Sequence, residues 1–173
     1  ETIHTTGKGL VNFVMSYRKL TRLPLPEPTL FDVCPFLERM IRLALHQHSY
    51  LNIHIVLEEV QEDLMVFADE SLLTQVMTNL LKNAVQAIGD APEGEIRIRA
   101  YCDEQDMVCI EVSNNGPKIA PEVAEQMFVP FFTTKEEGSG IGLSLSKQIM
   151  RLQGGNVSLL PYRDEWTTFV VMV

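Results

Sequence analysis

Apolar positions along the chain fall into two periods, and the switches between them mark out its elements. In the first stretch Leu10, Phe13, Val14, Tyr17 and Leu20 recur at helical spacing. They predict a helix from Thr2 to Arg22, weakened near its start by Gly7 and Gly9. Pro24, Pro26 and Pro28 stop any helix and make a short stiff linker, so a boundary is predicted over Leu23 to Thr29. Leu30 to Val33 reads as a short strand. Asp32 is a candidate cap for a helix from Pro35 to about Gln47, with Phe36, Leu37, Met40, Ile41, Leu43 and Leu45 as its apolar positions. Ile53 to Leu57 and Met65 to Ala68 read as strands around a polar turn. Asp69 then caps a strongly helical stretch to Ile88, ended by Gly89 and Pro92.

Beyond that helix the period drops to two. Ile96, Ile98 and Ala100 face one way, as do Val108, Ile110 and Val112, which predicts a hairpin joined through Asp103 to Asp106. Asn114 to Gly140 is mostly irregular, with a short helix at Pro121 to Met127. Gly140 to Leu152 reads as a helix that Gly154 and Gly155 break, and Val157 to Leu160 and Thr167 to Val173 close the chain as strands. The sum is an α+β fold: a two-layer α/β sandwich, with a mixed sheet packed on one side by helices. A loop of about 25 residues inside such a domain is either a functional lid or a misassigned element. Here the composition favours a lid.

Composition narrows the chemistry. The 173 residues suit one domain with its own core, and 46% hydrophobic with 21% charged residues is ordinary globular usage. A net charge of -9 argues against broad electrostatic binding to nucleic acid or anionic membrane. The three cysteines (Cys34, Cys102, Cys109) form no CxxC pair, which argues against a disulfide framework or zinc module and for a reducing compartment. No apolar run approaches the roughly 18 residues of a membrane span. The chain opens at Glu1 without Met or a signal peptide and is expected to be a fragment of something longer.

Three constellations carry candidate chemistry. On the helix from Asp69, residues Leu72, Leu73, Val76, Leu80, Ala84 and Ala87 form one apolar arc, and Asn79 and Asn83 lie at its edge. Amides on a packed face need partners, because an unpaired one costs about 1–3 kcal/mol. They are either satisfied structural amides or oxygen ligands for a hard cation and its phosphates. The run Val112-Ser113-Asn114-Asn115-Gly116-Pro117-Lys118-Ile119 ends a strand in a turn that lets backbone approach a ligand. Asn114 offers both the acceptor and the donor that a nucleobase edge needs, although the run is also plain turn chemistry. Finally, Thr133-Thr134-Lys135-Glu136-Glu137-Gly138-Ser139-Gly140-Ile141-Gly142-Leu143 runs straight into a helix. Its exposed N–H groups and helix end suit phosphate, or it is a flexible hinge. It lacks the GxxxxGK[ST] pattern of a P-loop.

Taken in order, Asn79…Asn83, Asn114-x-Gly116, Phe128-x-x-Phe131-Phe132 and Gly138-x-Gly140-x-Gly142 resemble the ATP-binding domain of sensor histidine kinases. These kinases belong to the GHKL superfamily with its Bergerat-type sandwich, and the resemblance runs from about Phe31 to Val173. It implies residues 29–173 as the catalytic ATP-binding domain. Residues 1–28 would be the end of a dimerisation and phosphotransfer hairpin plus linker. The implied cofactors are ATP and Mg²⁺, with Asn83 the metal ligand and Asn79 the catalytic residue that orients the reacting end of ATP. Superfamily hydrolases carry a glutamate as general base at that first position. Asn79 cannot take a proton, which fits ATP held for an external nucleophile.

The implied ATP site takes in Asn79, Lys82, Asn83, Asn114, Gly116, Lys118, Ile119, Phe131, Thr133, Thr134, Lys135, Gly138, Ser139, Gly140, Ile141, Gly142 and Leu143. Gly116 to about Gly140 would be the ATP lid, anchored by Phe128, Phe131 and Phe132. The first glycine box departs from the usual Asp-x-Gly-x-Gly in two places, with Asn114 for the aspartate and Lys118 for the second glycine. Asn114 still accepts from an adenine amino group, more weakly than a carboxylate does. None of His4, His46, His48 and His54 sits in a phosphoacceptor pattern, so the acceptor helix is expected upstream of Glu1. His46-x-His48 without a third ligand reads as surface rather than metal site.

The implied activity is that of a two-component protein histidine kinase, a phosphoprotein that transfers the γ-phosphoryl of ATP to histidine. Its expected partners are the acceptor helix of the same protein or its dimer mate and a response regulator receiver domain, with no nucleic acid. A cytoplasmic location follows, as the cytosolic portion of a bacterial sensor that meets a membrane only through upstream segments. The alternatives are a nucleotide-binding pseudokinase, which the two departures motivate, and a serine-directed kinase of the same superfamily, against which the leading helix argues.

Overall fold

Asp69 starts the helix on which the rest of the domain is organised. Its carboxylate accepts the N–H of Leu72 at 3.0 Å, capping α3 (Glu70–Ile88) at the residue the sequence selects, and Gly89 ends the helix. In the computed structural model the described residues are 2–47, 52–135 and 138–173, with side chains described from Thr6 onward. Glu1, His48, Glu136 and Glu137 lie outside them, as does the side chain of His4.

In chain order the elements are α1 (Thr2–Thr21), β1 (Thr29–Asp32), α2 (Val33–Gln47), β2 (Ile53–Val60), β3 (Met65–Ala68) and α3. Then come β4 (Gly94–Cys102), β5 (Val108–Asn114), α4 (Pro121–Gln126), α5 (Gly142–Leu152), β6 (Asn156–Leu159) and β7 (Thr167–Met172). Five strands form one mixed sheet in the order β2-β4-β5-β7-β6, with only β2 and β4 parallel. The predicted hairpin is there, with Ile98 opposite Val112 and Ala100 opposite Ile110.

One face of the sheet is apolar: Ile96, Ile98, Ala100, Ile110, Val112, Phe169 and Val171 are buried against α2, α3 and α5. The other face is charged. Arg97 pairs with Glu95 at 2.5 Å and lies over the Trp166 ring at 4.1 Å, and Arg99 pairs with Glu59 at 2.8 Å. Those strands therefore cannot bury a second helix layer on that side, and the two-layer sandwich expected from the sequence is the result.

The structure supplies the strand partners, which the sequence reading left open, and corrects several boundaries. β2 and β3 do not pair around their turn: β3 pairs with β1, and β2 lies parallel to β4. Local period specifies a strand's faces but not its partner. α2 starts at Val33, two residues early, because the Asp32 carboxylate already accepts the Cys34 N–H at 3.1 Å. α5 starts at Gly142 rather than Gly140. On α3 the buried stripe widens through Met77, Leu81, Val85 and Ile88, while Ala87 is exposed. The reason is that α3 packs against α2, α5, β4 and β5 at once, which covers more of its circumference than one apolar arc.

Candidate functional site

Asn79, Asn83 and Ala87 follow one another at four-residue steps along one face of α3. At 1.5 Å per residue they span roughly 12 Å of axis. At one end stands the N-terminus of α5, and at the other the turn after β5.

At the α5 end the fit is close. A Cβ on Gly142 would lie 2.3 Å from Asn79 Oδ1, so only glycine lets the two helices approach there. Asn79 Nδ2 donates to Ser146 Oγ at 3.1 Å, and Ser146 in turn donates to the Gly142 carbonyl at 2.8 Å. The first-turn N–H groups of Gly142, Leu143 and Ser144 have no intrahelical acceptor, a favourable setting for an anion. Ile141, just before them, is buried, and Leu143 packs on the core.

In the middle of the face, the loop reaches α3 through Lys135. Its ammonium donates to Asn83 Oδ1 at 3.2 Å and to Gln86 Oε1. Most of the lysine side chain is exposed, but contact with α3 dehydrates its ammonium, which together with the Lys82 charge pushes its pKa down. Thr133 Oγ1 accepts the Lys135 N–H at 3.1 Å, and Gly138 N–H donates to the Lys135 carbonyl at 3.2 Å, so the loop is tied to itself at this point. Thr134 and Ser139 are exposed.

At the β5 end, Asn114 is 3% exposed and lies on the helix-facing side of the sheet, opposite Ile96 on β4 and Thr167 on β7. Its Oδ1 accepts the Gly116 N–H at 3.0 Å. Gly116 also passes so close to α3 that a Cβ would lie 3.0 Å from the Ala87 carbonyl oxygen. Asn115 is structural: its Oδ1 accepts the Glu95 N–H at 2.8 Å and its Nδ2 donates to the Glu93 carbonyl. Ile119 packs on the core from above, whereas the Lys118 ammonium points over Tyr162, 5.4 Å from the ring centroid.

Of the phenylalanines, Phe128 meets Phe169 edge-on at 6.3 Å and carries the Lys147 ammonium over its face. Phe131, at φ +67, donates its N–H to the Gly140 carbonyl at 2.8 Å and stacks on Phe13 of α1 at 5.0 Å.

Three residues here escape sequence reasoning. Ser146 and Gln86 hold Asn79 and Lys135. Thr167 has a buried hydroxyl that finds no partner among the described residues, directly across from Asn114. Its signal was a polar residue in the inward register of β7, with Phe169 and Val171, where a threonine passes for an ordinary strand former.

Whether these residues fit a nucleotide and its cation can be tested on these contacts. Asn83 Oδ1 already takes a cation, the Lys135 ammonium; glycine backbone lines both ends; and a buried hydroxyl is left unpaired across from Asn114. The donor set fits. Among the described residues no three His, Cys, Asp or Glu side chains converge on a metal site, and no helix is long and apolar enough to cross a membrane.

The comparisons with known proteins agree with this geometry. A family described as histidine kinase-, DNA gyrase B-, and HSP90-like ATPase matches residues 68–173. The C4-dicarboxylate transport sensor protein DctB of Rhizobium meliloti is 41% identical over 111 residues, 64% of this chain and 17% of that protein. The sensory histidine kinase/phosphatase NtrB of the same species is 38% identical over 121 residues, 62% of this chain and 31% of that protein. The chain thus spans under a third of the length of these curated relatives. Among solved structures, the catalytic domain of histidine kinase ThkA superposes with a TM-score of 0.73 at 33% identity, covering 85% of this chain and 95% of that one. ThkA in complex with response regulator protein TrrA gives a TM-score of 0.78 at 29% identity, over 99% of this chain and 49% of that one. With the asparagine face of α3 set against a glycine-opened helix end, the chain belongs to the histidine kinase-, DNA gyrase B- and HSP90-like ATPase family, and its sandwich is that of a histidine kinase catalytic domain.

Proposed function

We propose that this chain binds Mg²⁺ and ATP along the α3 face and transfers the γ-phosphoryl group to a histidine presented by a helical hairpin. The observation that carries the reading is the Asn79–Ser146–Gly142 linkage, which sets a neutral amide against the N–H groups opening α5. Those N–H groups and the Lys135 ammonium receive phosphate oxygens. Asn83 Oδ1 is the cation ligand, so Lys135 leaves it when the cation binds. Bound Mg²⁺ supplies charge neutralisation on the phosphates. Asn79 orients the reacting end and, having no basic site, leaves water unactivated. The bond from γ-phosphorus to the bridging oxygen breaks as a phosphorus–nitrogen bond forms to the imidazole. ADP departs, and the imidazole proton passes to solvent. Positioning and electrostatics do the rest.

In the same reading, residues 29–173 are the catalytic domain and residues 1–28 the end of the hairpin and its linker, in a protein that is a homodimer. The exposed apolar side chains of α1, Leu10, Val11, Phe13, Val14 and Met15, support this division. The likeness to ThkA in its complex with a response regulator supports a receiver domain as phosphoryl acceptor, and the relatives point to a bacterial sensor. The test is to supply an acceptor hairpin in trans with γ-labelled ATP and Mg²⁺. Acid-labile label on the hairpin is expected, together with loss of Mg²⁺-dependent ATP binding in Asn83→Ala. Nucleotide binding without any phosphohistidine would leave a binding module rather than a kinase.

A further inference from the structure

The turn after β5 fixes which atom of Asn114 faces a base. A primary amide has one accepting and one donating end, and rotation by a half-turn about its last bond exchanges them. Here the Gly116 N–H points at the amide and donates to Oδ1 at 3.0 Å. The flipped amide would set two donors against each other within a site that is 3% exposed, where such a mismatch goes unrelieved by water. The amide is therefore held with Oδ1 toward the Gly116 N–H and Nδ2 as its free end, and Nδ2 donates to no described residue. Beside it, Thr167 Oγ1 is buried and unpaired, and a hydroxyl serves equally as donor or acceptor.

The other end of the α3 face, roughly 12 Å away along the axis, holds the phosphate-seeking N–H groups, so this end meets the base. We propose that Asn114 makes this chain accept 6-oxopurine nucleoside triphosphates, the guanine and hypoxanthine class, alongside ATP. The free Nδ2 donates to O6 of such a base while Thr167 Oγ1 accepts its N1–H. Adenine presents the reverse pair, an amino donor and a ring acceptor. Thr167 can turn to donate to N1, but the adenine amino group then meets an amide that shows it a donor. A carboxylate at position 114 would reverse the preference, because it accepts from Gly116 and from an adenine amino group at once and repels O6.

The inference rests on the nucleotide-binding reading above, and the experiment separates the two. Affinities of ATP, GTP and ITP with Mg²⁺ are measured by calorimetry on the whole chain and on Asn114→Asp, a replacement of nearly equal size whose folding is checked by thermal melting. ITP carries O6 and N1–H without the 2-amino group, so it isolates the edge chemistry from steric exclusion of guanine. Expected for the unaltered chain is ITP within about tenfold of ATP, and for Asn114→Asp a shift of that ratio toward ATP by at least about tenfold. The wild-type ratio is informative even if the variant fails to fold. ATP bound with ITP and GTP both weaker by more than about a hundredfold overturns the proposal and leaves the nucleotide reading standing. A ratio that Asn114→Asp leaves unmoved does the same. If no triphosphate binds, the nucleotide reading itself falls.

Discussion

Gly142 and Asn79 show how little room the site leaves at the scale of single residues. In Gly142→Ala the new methyl would meet Asn79 Oδ1 at 2.3 Å and push the amide off Ser146. The expected outcome is at least about tenfold weaker ATP binding by calorimetry, with a stability loss of about 1–3 kcal/mol by urea denaturation, the usual cost of overpacking. Unchanged affinity would mean that Asn79 has no part in holding the nucleotide. Residues such as Asn79 and Asn83 were legible because a 3.6-residue period assigns them to one helix face without any knowledge of neighbours. Ser146 was not, since its contact with Asn79 spans 67 positions of sequence and nothing local announces it. Lys118 illustrates the same limit. The sequence placed it in the first glycine box, at the position of the second glycine, and only folding could send its ammonium to Tyr162.

At the scale of elements, Asp69 joins a helix to the linker before β1. It caps α3 and also accepts the backbone N–H of Glu27 at 2.8 Å, tying the proline-rich linker to the domain. The Glu27 N–H, and after it that of Leu72, hold its carboxyl below the ordinary 3.8. A depressed carboxyl contributes stability that is fully present above the unfolded value and is lost as pH falls through the folded one. Asp69→Ala should therefore cost about 0.5–2 kcal/mol at neutral pH, and the gap in melting temperature between it and the unaltered chain should close below about pH 4. A gap that persists in acid would show that the carboxylate is not its source. The cap was readable because Asp before an apolar periodic run has a local meaning. The pairing of β3 with β1 was not, because strand partnership is decided by the packed sheet, and a turn between two strands looks the same whether or not they pair.

Across the whole molecule, the described side chains of α1 contribute nothing to the buried core; Leu10 is 64% and Phe13 51% exposed. Removing residues 1–22 keeps Leu23 and the Glu27–Asp69 bond, so the shortened chain should melt within about 3 °C of the full one. A much larger drop would place the domain boundary elsewhere. What α1 does touch is Phe131, a non-glycine residue at φ +67. Such a backbone costs about 1–3 kcal/mol and persists only where its surroundings impose it. Here they are the Gly140 carbonyl on one side and the Phe13 ring on the other. The loop is thus under tension, with one support belonging to the leading helix and the other to the glycine run before α5. Any helix rotation that withdraws Phe13 works against the same account as any ligand that turns Gly140. Linkage makes the exchange symmetrical: the factor by which helix position changes nucleotide affinity equals the factor by which nucleotide biases the helix, and the tension stored at Phe131 caps it at about 5- to 150-fold.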